Sequence, residues 1–103
     1  MKGISGLLKQ AQQLQSKMQA LQEELARRTV TAQAGGGMVE ATVNGRQELL
    51  SLRIDPEVVS PEEVDLLQDL ILAAVNEALN RSREMVAQEM SKLTGGLGLP
   101  GMF

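Results

Sequence analysis

The stretch TVTAQAGGGMVEATVNGRQELLSLRI, residues 29–54, decides the fold. Val30, Ala32 and Ala34 alternate with Thr29, Thr31 and Gln33. Val39, Ala41 and Val43 alternate with Met38, Glu40 and Thr42, and Leu50, Leu52 and Ile54 alternate with Leu49, Ser51 and Arg53. A period of two marks half-buried strands, because successive side chains point to opposite faces. The pattern predicts strands over about 28–34, 38–44 and 46–54. Asn44-Gly45 between the last two is a hairpin signature, since both central residues of a type I′ turn need positive φ. A two-residue turn there pairs Val43 with Arg46, Ala41 with Glu48 and Val39 with Leu50. One at Gly35-Gly36 pairs Ala32 with Val39 and Val30 with Ala41. Both registers gather the apolar residues on one face. The expectation is an antiparallel meander with one apolar face and one wet face of Thr, Gln, Ser, Glu and Arg.

Helices flank this core. On the N-terminal side Leu7, Ala11, Leu14, Met18, Leu21 and Leu25 recur at alternating steps of four and three, a heptad seam, which predicts a helix from about 4 to 26. On the C-terminal side Asp55-Pro56 ends the sheet. Ser60 as N-cap, Pro61 at N1 and Glu63 at N3 read as a capping box, with Val59 and Val64 as its hydrophobic staple. The helix they open is expected to run to about residue 93. Its apolar stripe is Val64, Leu67, Ile71, Val75, Ala78, Leu79, Ser82, Val86, Met90 and Leu93, and residues 70–75, LILAAV, are apolar almost all round. Such a helix is ~50 Å long. A compact chain of this size has a radius of gyration of only ~13 Å, so the helix must protrude or lie along another subunit. The fold class is therefore α+β, an α-β-β-β-α protomer in one domain over 1–94. Leu14, Met18, Leu21, Leu70, Ile71 and Val75 are candidates for core or dimer packing. The tail, GGLGLPGMF over 95–103, is glycine-rich yet apolar.

Composition removes most chemistry. The 103 residues include no Cys, no His, no Trp and no Tyr. Thiolate sites, disulfides, the commonest general base and the commonest transition-metal ligand are thus absent. No phosphate-loop motif is present: Gly35-Gly36-Gly37 lies between two strands, whereas phosphate loops lead into a helix. The carboxylate pairs Glu23/Glu24 and Glu62/Glu63 are helix neighbours that diverge. No enzyme, cofactor, metal or small-molecule substrate is expected. The first residues turn polar too soon for a signal peptide and no apolar run spans a membrane, which places the chain in the cytoplasm.

The net charge of −3 does not suggest DNA, but its distribution is uneven. Residues 1–22 carry Lys2, Lys9 and Lys17 and no acid. Residues 55–77 carry Asp55, Glu57, Glu62, Glu63, Asp65, Asp69 and Glu77 and no base. Arg81, Arg83 and Lys92 then return cations to the chain. Ordinary solubility accounts for such faces as readily as a ligand does. With a single aromatic, Phe103, base stacking on single strands is excluded, so any nucleic-acid contact must be Lys or Arg to duplex phosphates.

Four segments together resemble the YbaB/EbfC family. These are LLKQAQQLQSKMQALQEELA (7–26), GGGMVEATVNG (35–45), LRIDPEVVSPEEVDLLQDLILAAVNEAL (52–79) and LTGGLGLPGMF (93–103). The resemblance covers nearly the whole chain in order. It implies a tweezer-like homodimer, a bacterial nucleoid-associated protein that binds DNA, and neither catalysis nor cofactor. Glu40 stands where that family often has a Lys, and Val75 where an aromatic is common. Glu40 shifts the expected DNA contact from the sheet to the helix arms, through Lys2, Lys9, Lys17, Arg81, Arg83 and Lys92. The alternative is an interaction module that docks a DNA replication or repair protein through the arms and tail.

Overall fold

The computed structural model describes residues 2–95, so the tail beyond Gly95 lies outside the described residues. The elements are α1 (Lys2–Arg27), β1 (Thr29–Ala34), β2 (Val39–Asn44), β3 (Leu49–Ile54), two 3₁₀ turns (Pro56–Val58 and Pro61–Glu63) and α2 (Val64–Gly95). The strands form an antiparallel meander in the order β1-β2-β3. The expected α-β-β-β-α architecture is therefore present.

β2 has the cleanest alternation and occupies the middle of the sheet. Val39, Ala41 and Val43 are fully buried on one face, against Ala32 of β1 and Ala74 and Ala78 of α2. Ala74, Ala78 and Ser82 repeat every four residues and are all buried. That line of small side chains lets α2 lie close to β1 and β2. Larger residues flank it, with Leu67, Leu70, Ile71, Val75 and Leu79 packed around the core. The opposite sheet face is polar, as expected. Thr31 and Thr42 share a hydroxyl hydrogen bond of 3.0 Å, and Gln33 Nε2 donates to Glu40 at 2.9 Å.

Both hairpin registers differ from expectation. Ala32 faces Ala41 and Ala34 faces Val39, because the first loop has four residues, 35–38. Gly35, Gly36 and Gly37 all take positive φ there, a conformation glycine adopts without a Cβ penalty. In the second hairpin Val39 faces Ile54 instead of Leu50, and Ala41 faces Leu52. No type I′ turn forms, since neither Asn44 nor Gly45 has positive φ; Gln47 does, at 66°. The Asn44 side chain is the reason. Its Oδ1 accepts from the backbone N–H groups of Arg46 (2.9 Å) and Glu48 (3.1 Å), which stabilises a longer turn. The first register slides by two; the second slides by three beside the turn, and a bulge at Thr42/Val43 adds one residue on β3, so the slide is four beyond it and the apolar face survives.

The start of α2 also departs from the reading. Ser60 caps Glu62 N–H rather than Glu63, and Glu63 N–H bonds Ser60 O in a 3₁₀ turn, so no reciprocal box forms. Val59 and Val64 remain exposed and staple nothing.

Two surfaces stay uncovered. α2 packs over β1 and β2, and β3 beside them leaves Leu49, Leu50 and Leu52 46%, 56% and 37% exposed. Among the described side chains of α1 only Leu25 is buried; Leu14, Met18 and Leu21 are half-buried and residues 3–13 are all exposed. The radius of gyration is 20.0 Å and the longest dimension 74 Å, as the length of the helices required.

Candidate nucleic-acid interface

α1 leaves the body at one joint. Leu25 is buried there, its carbonyl accepts the Gly45 N–H at 3.0 Å, and Arg28 pairs with Glu89 of α2 at 3.3 Å. Farther out, Gln19, Gln22 and Leu25 face Val86 and Met90 of α2 across an open cleft. Past it α1 stands as an arm.

The cations fall into three groups. Lys9 and Lys17 are exposed, make no ion pair, and line one shallow groove with Gln12, Gln13 and Ser16. Lys2 opens α1, and its side chain is outside the described part. Arg81 and Lys92 are engaged within the fold instead of standing free. The Arg81 guanidinium bonds Glu77 at 3.1 Å and the Thr31 carbonyl at 2.9 Å, tying α2 to the edge strand β1. Lys92 bonds Glu89 at 3.2 Å, and Lys92 first, then Arg28, hold the Glu89 carboxyl below its ordinary pKa. Arg83 is exposed and donates to Asn80 at 2.9 Å. The structure thus separates Lys9 and Lys17 from Arg81, Arg83 and Lys92, which sequence reasoning had grouped together.

Two cations were missed. Arg27 and Arg46 are exposed and unpaired, and Arg46 lines the cleft at the base of the arm. Arg27 could have been found as a basic residue in the last turn of a helix. Arg46 came into view only with the longer turn.

The acids gather at the other end. Asp55 N–H bonds Met38 O beside the glycine loop, and Gly35 lies against Leu70. Asp55, Glu57, Glu62, Glu63, Asp65 and Asp69 surround that pole. Much of this charge is structural. Asp55 caps Glu57 N–H at 2.9 Å, and the Ser60 hydroxyl with the Glu62 N–H lowers the Glu62 pKa. Across the polar sheet face Arg53 lies 4.0 Å from Glu40, so its two charges cancel. The molecule is polarised in space, with free lysines on the arm and carboxylates at the far pole.

Among the described residues no group of three His, Cys, Asp or Glu is placed to hold a metal ion, and no helix is long and apolar enough to cross a membrane.

Comparison with known proteins adds the family. The family model described as the YbaB/EbfC DNA-binding family matches residues 1–97. A nucleoid-associated protein of Thermoanaerobacter pseudethanolicus is 55% identical over 100 residues, covering 97% of this chain and 90% of that protein. One from Moorella thermoacetica is 57% identical over 101 residues, covering 98% and 97%. Among solved structures, the uncharacterized protein HP0035 from Helicobacter pylori superposes with a TM-score of 0.61 at 24% identity, over 84% of this chain and 96% of that one. At that identity the likeness speaks for the fold alone.

Proposed function

The chain belongs to the YbaB/EbfC DNA-binding family, and from that premise we propose that it is a nucleoid-associated protein that grips duplex DNA as a homodimer, through lysine contacts to phosphate. The observation that carries this reading is the placement of Lys9 and Lys17, unpaired in one groove of an arm that stands clear of the acidic pole. An unpaired ammonium gives up no internal partner when it meets phosphate. Lys92 and Arg81 would each have to leave a carboxylate, so they rank below Lys9 and Lys17. Lys2 and Arg83 complete the proposed set, joined by Arg27 and Arg46 at the base of the arm.

The second copy is assigned to the bare side of the sheet. β3 is an edge strand with three exposed leucines, and Leu66 and Leu72 of α2 are exposed as well. An unpaired apolar edge invites another chain, and pairing two β3 strands would cover it. Two copies joined there would place both α1 arms outward, as jaws of a tweezer. Phosphate contacts carry little sequence information, so the reading is of a protein that coats or organises DNA in the bacterial nucleoid and through that influences gene expression.

The test is titration of duplex DNA at low salt with protein whose mass is measured by ultracentrifugation. Saturable binding by a dimer is expected, lost in a monomeric Leu50→Glu variant. A monomeric wild-type chain, or no binding at low salt, contradicts the proposal. One observation favours a second reading: Ile4, Leu7 and Leu8 on α1 are more than half exposed. A replication or repair protein docked on that seam and the tail would be lost on deletion of residues 95–103 or on substitution of Leu7, with DNA binding intact.

A further inference from the structure

Gly45 is a glycine for a reason other than its dihedral angles. The positive-φ glycines are Gly35, Gly36 and Gly37, and Gly45 is not among them. What excludes a side chain at 45 is proximity: a Cβ there would lie 2.2 Å from the Leu25 carbonyl oxygen and 2.8 Å from its carbon, both backbone atoms of α1. The same glycine donates its N–H to that oxygen at 3.0 Å. The turn is pressed against the last turn of the arm.

The turn is itself immobilised. Asn44 Oδ1 holds two of its N–H groups, and Asn44 Nδ2 donates to Glu48 at 2.8 Å. Beneath it Ser82, fully buried, donates to Asn44 O at 2.7 Å and accepts from Gln47 Nε2 at 2.8 Å. Two unfavourable features are tolerated in this cluster. Gln47 sits at φ 66°, and its Oε1 is buried without a hydrogen-bond partner. Strain of this kind persists where the surroundings over-determine a conformation. The linkage is continuous, from α2 through Ser82 to the turn, and from Gly45 to Leu25 of α1.

We propose that the Asn44–Glu48 turn fixes the direction of α1, which makes Gly45 and Ser82 positioning residues for the DNA-binding arm. The proposal rests on the reading of α1 as that arm. The leverage is large. Lys9 is sixteen residues from Leu25, about 24 Å along the helix. A tilt of about 10° at the joint moves it by about 4 Å, and the gap between two arms of a dimer by about twice that. A hydrogen bond to phosphate tolerates about 0.5 Å.

The absence of cysteine makes labelling clean. Gln10 and Ser51 are exposed, one on the arm and one on the sheet. Nitroxides on Gln10→Cys and Ser51→Cys, in protein diluted with unlabelled chains, report the arm-to-sheet distance within one protomer. One narrow distance is expected in the parent. Gly45→Ala should shift it by several ångströms and weaken DNA binding at least tenfold, with dimer mass unchanged. Ser82→Ala, which removes only a hydroxyl, should broaden it, and it serves as well if Gly45→Ala does not fold. A broad distribution in the parent, or the parent's distance retained in both variants, overturns the proposal. Distance is read without DNA, so a parent that fails to bind DNA counts against the function and not against the fixed arm.

Discussion

α1 and α2 carry the same kind of apolar periodicity and use it in opposite ways. The stripe of α2 is centred on Ala74, Ala78 and Ser82, small residues pressed flat on β1 and β2. The seam of α1 is built of Leu and Met, and its outer residue Leu7 is 67% exposed. The helices also divide the charge. α1 has only lysines before Glu23, whereas α2 begins in an acidic cluster and holds its later cations in internal bonds. One helix is thus part of the body and the other a limb. Periodicity shows that a face can be buried; residue size shows what can cover it, a sheet in one case and another helix in the other.

The contrast predicts unequal mutational costs. Val43→Ala, under α2, removes two buried carbons and leaves a cavity, and should cost about 2–3 kcal/mol in denaturant unfolding. An equal loss from Leu7→Ala would break the comparison. Gly35→Ala should cost about 1–2 kcal/mol, because the residue has φ 64° and its new Cβ would sit 2.8 Å from Leu70. Leu7→Ala itself should fall within about 0.5 kcal/mol, as exposed sites do.

The smallest effect concerns the tether between limb and body. The Glu89 pKa is depressed by Lys92 and Arg28, so its stabilisation is present above the ordinary glutamate range and is lost as pH falls through the depressed value. Thermal melts of the parent and of Glu89→Gln should differ slightly at neutral pH and converge in acid. A gap that persists unchanged at the lowest pH would show that the tether contributes nothing titratable.

Much of this was legible in the residues. The alternation of β2, the heptads of α1 and the stripe of α2 gave the elements in order, because burial imposes those periods directly. The turns were misread because Asn44-Gly45 satisfies two mechanisms. A type I′ turn would use Gly45 for positive φ, whereas here Asn44 folds the turn with its side chain and Gly45 serves close approach to Leu25. Ser82 could be seen in the α2 stripe as its one polar member, but its partners Asn44 and Gln47 are 38 and 35 residues away. For the cations, the sequence grouped Arg81 and Lys92 with the lysines of α1. It did not reveal that Arg81 reaches the Thr31 carbonyl, or that Lys92 shares its partner Glu89 with Arg28.

The central claim is that the free lysines of the limb, and not the engaged cations of the body, meet DNA. Its most direct test is the salt dependence of duplex affinity for the parent and for the Lys9→Ala/Lys17→Ala double variant. Each phosphate neutralised contributes about −0.9 to the slope of log affinity against log salt, so removing two lysines from each arm of a dimer should flatten the slope by about 3.6. An unchanged slope in the double variant, with Arg81→Ala/Lys92→Ala flattening it instead, would contradict the account.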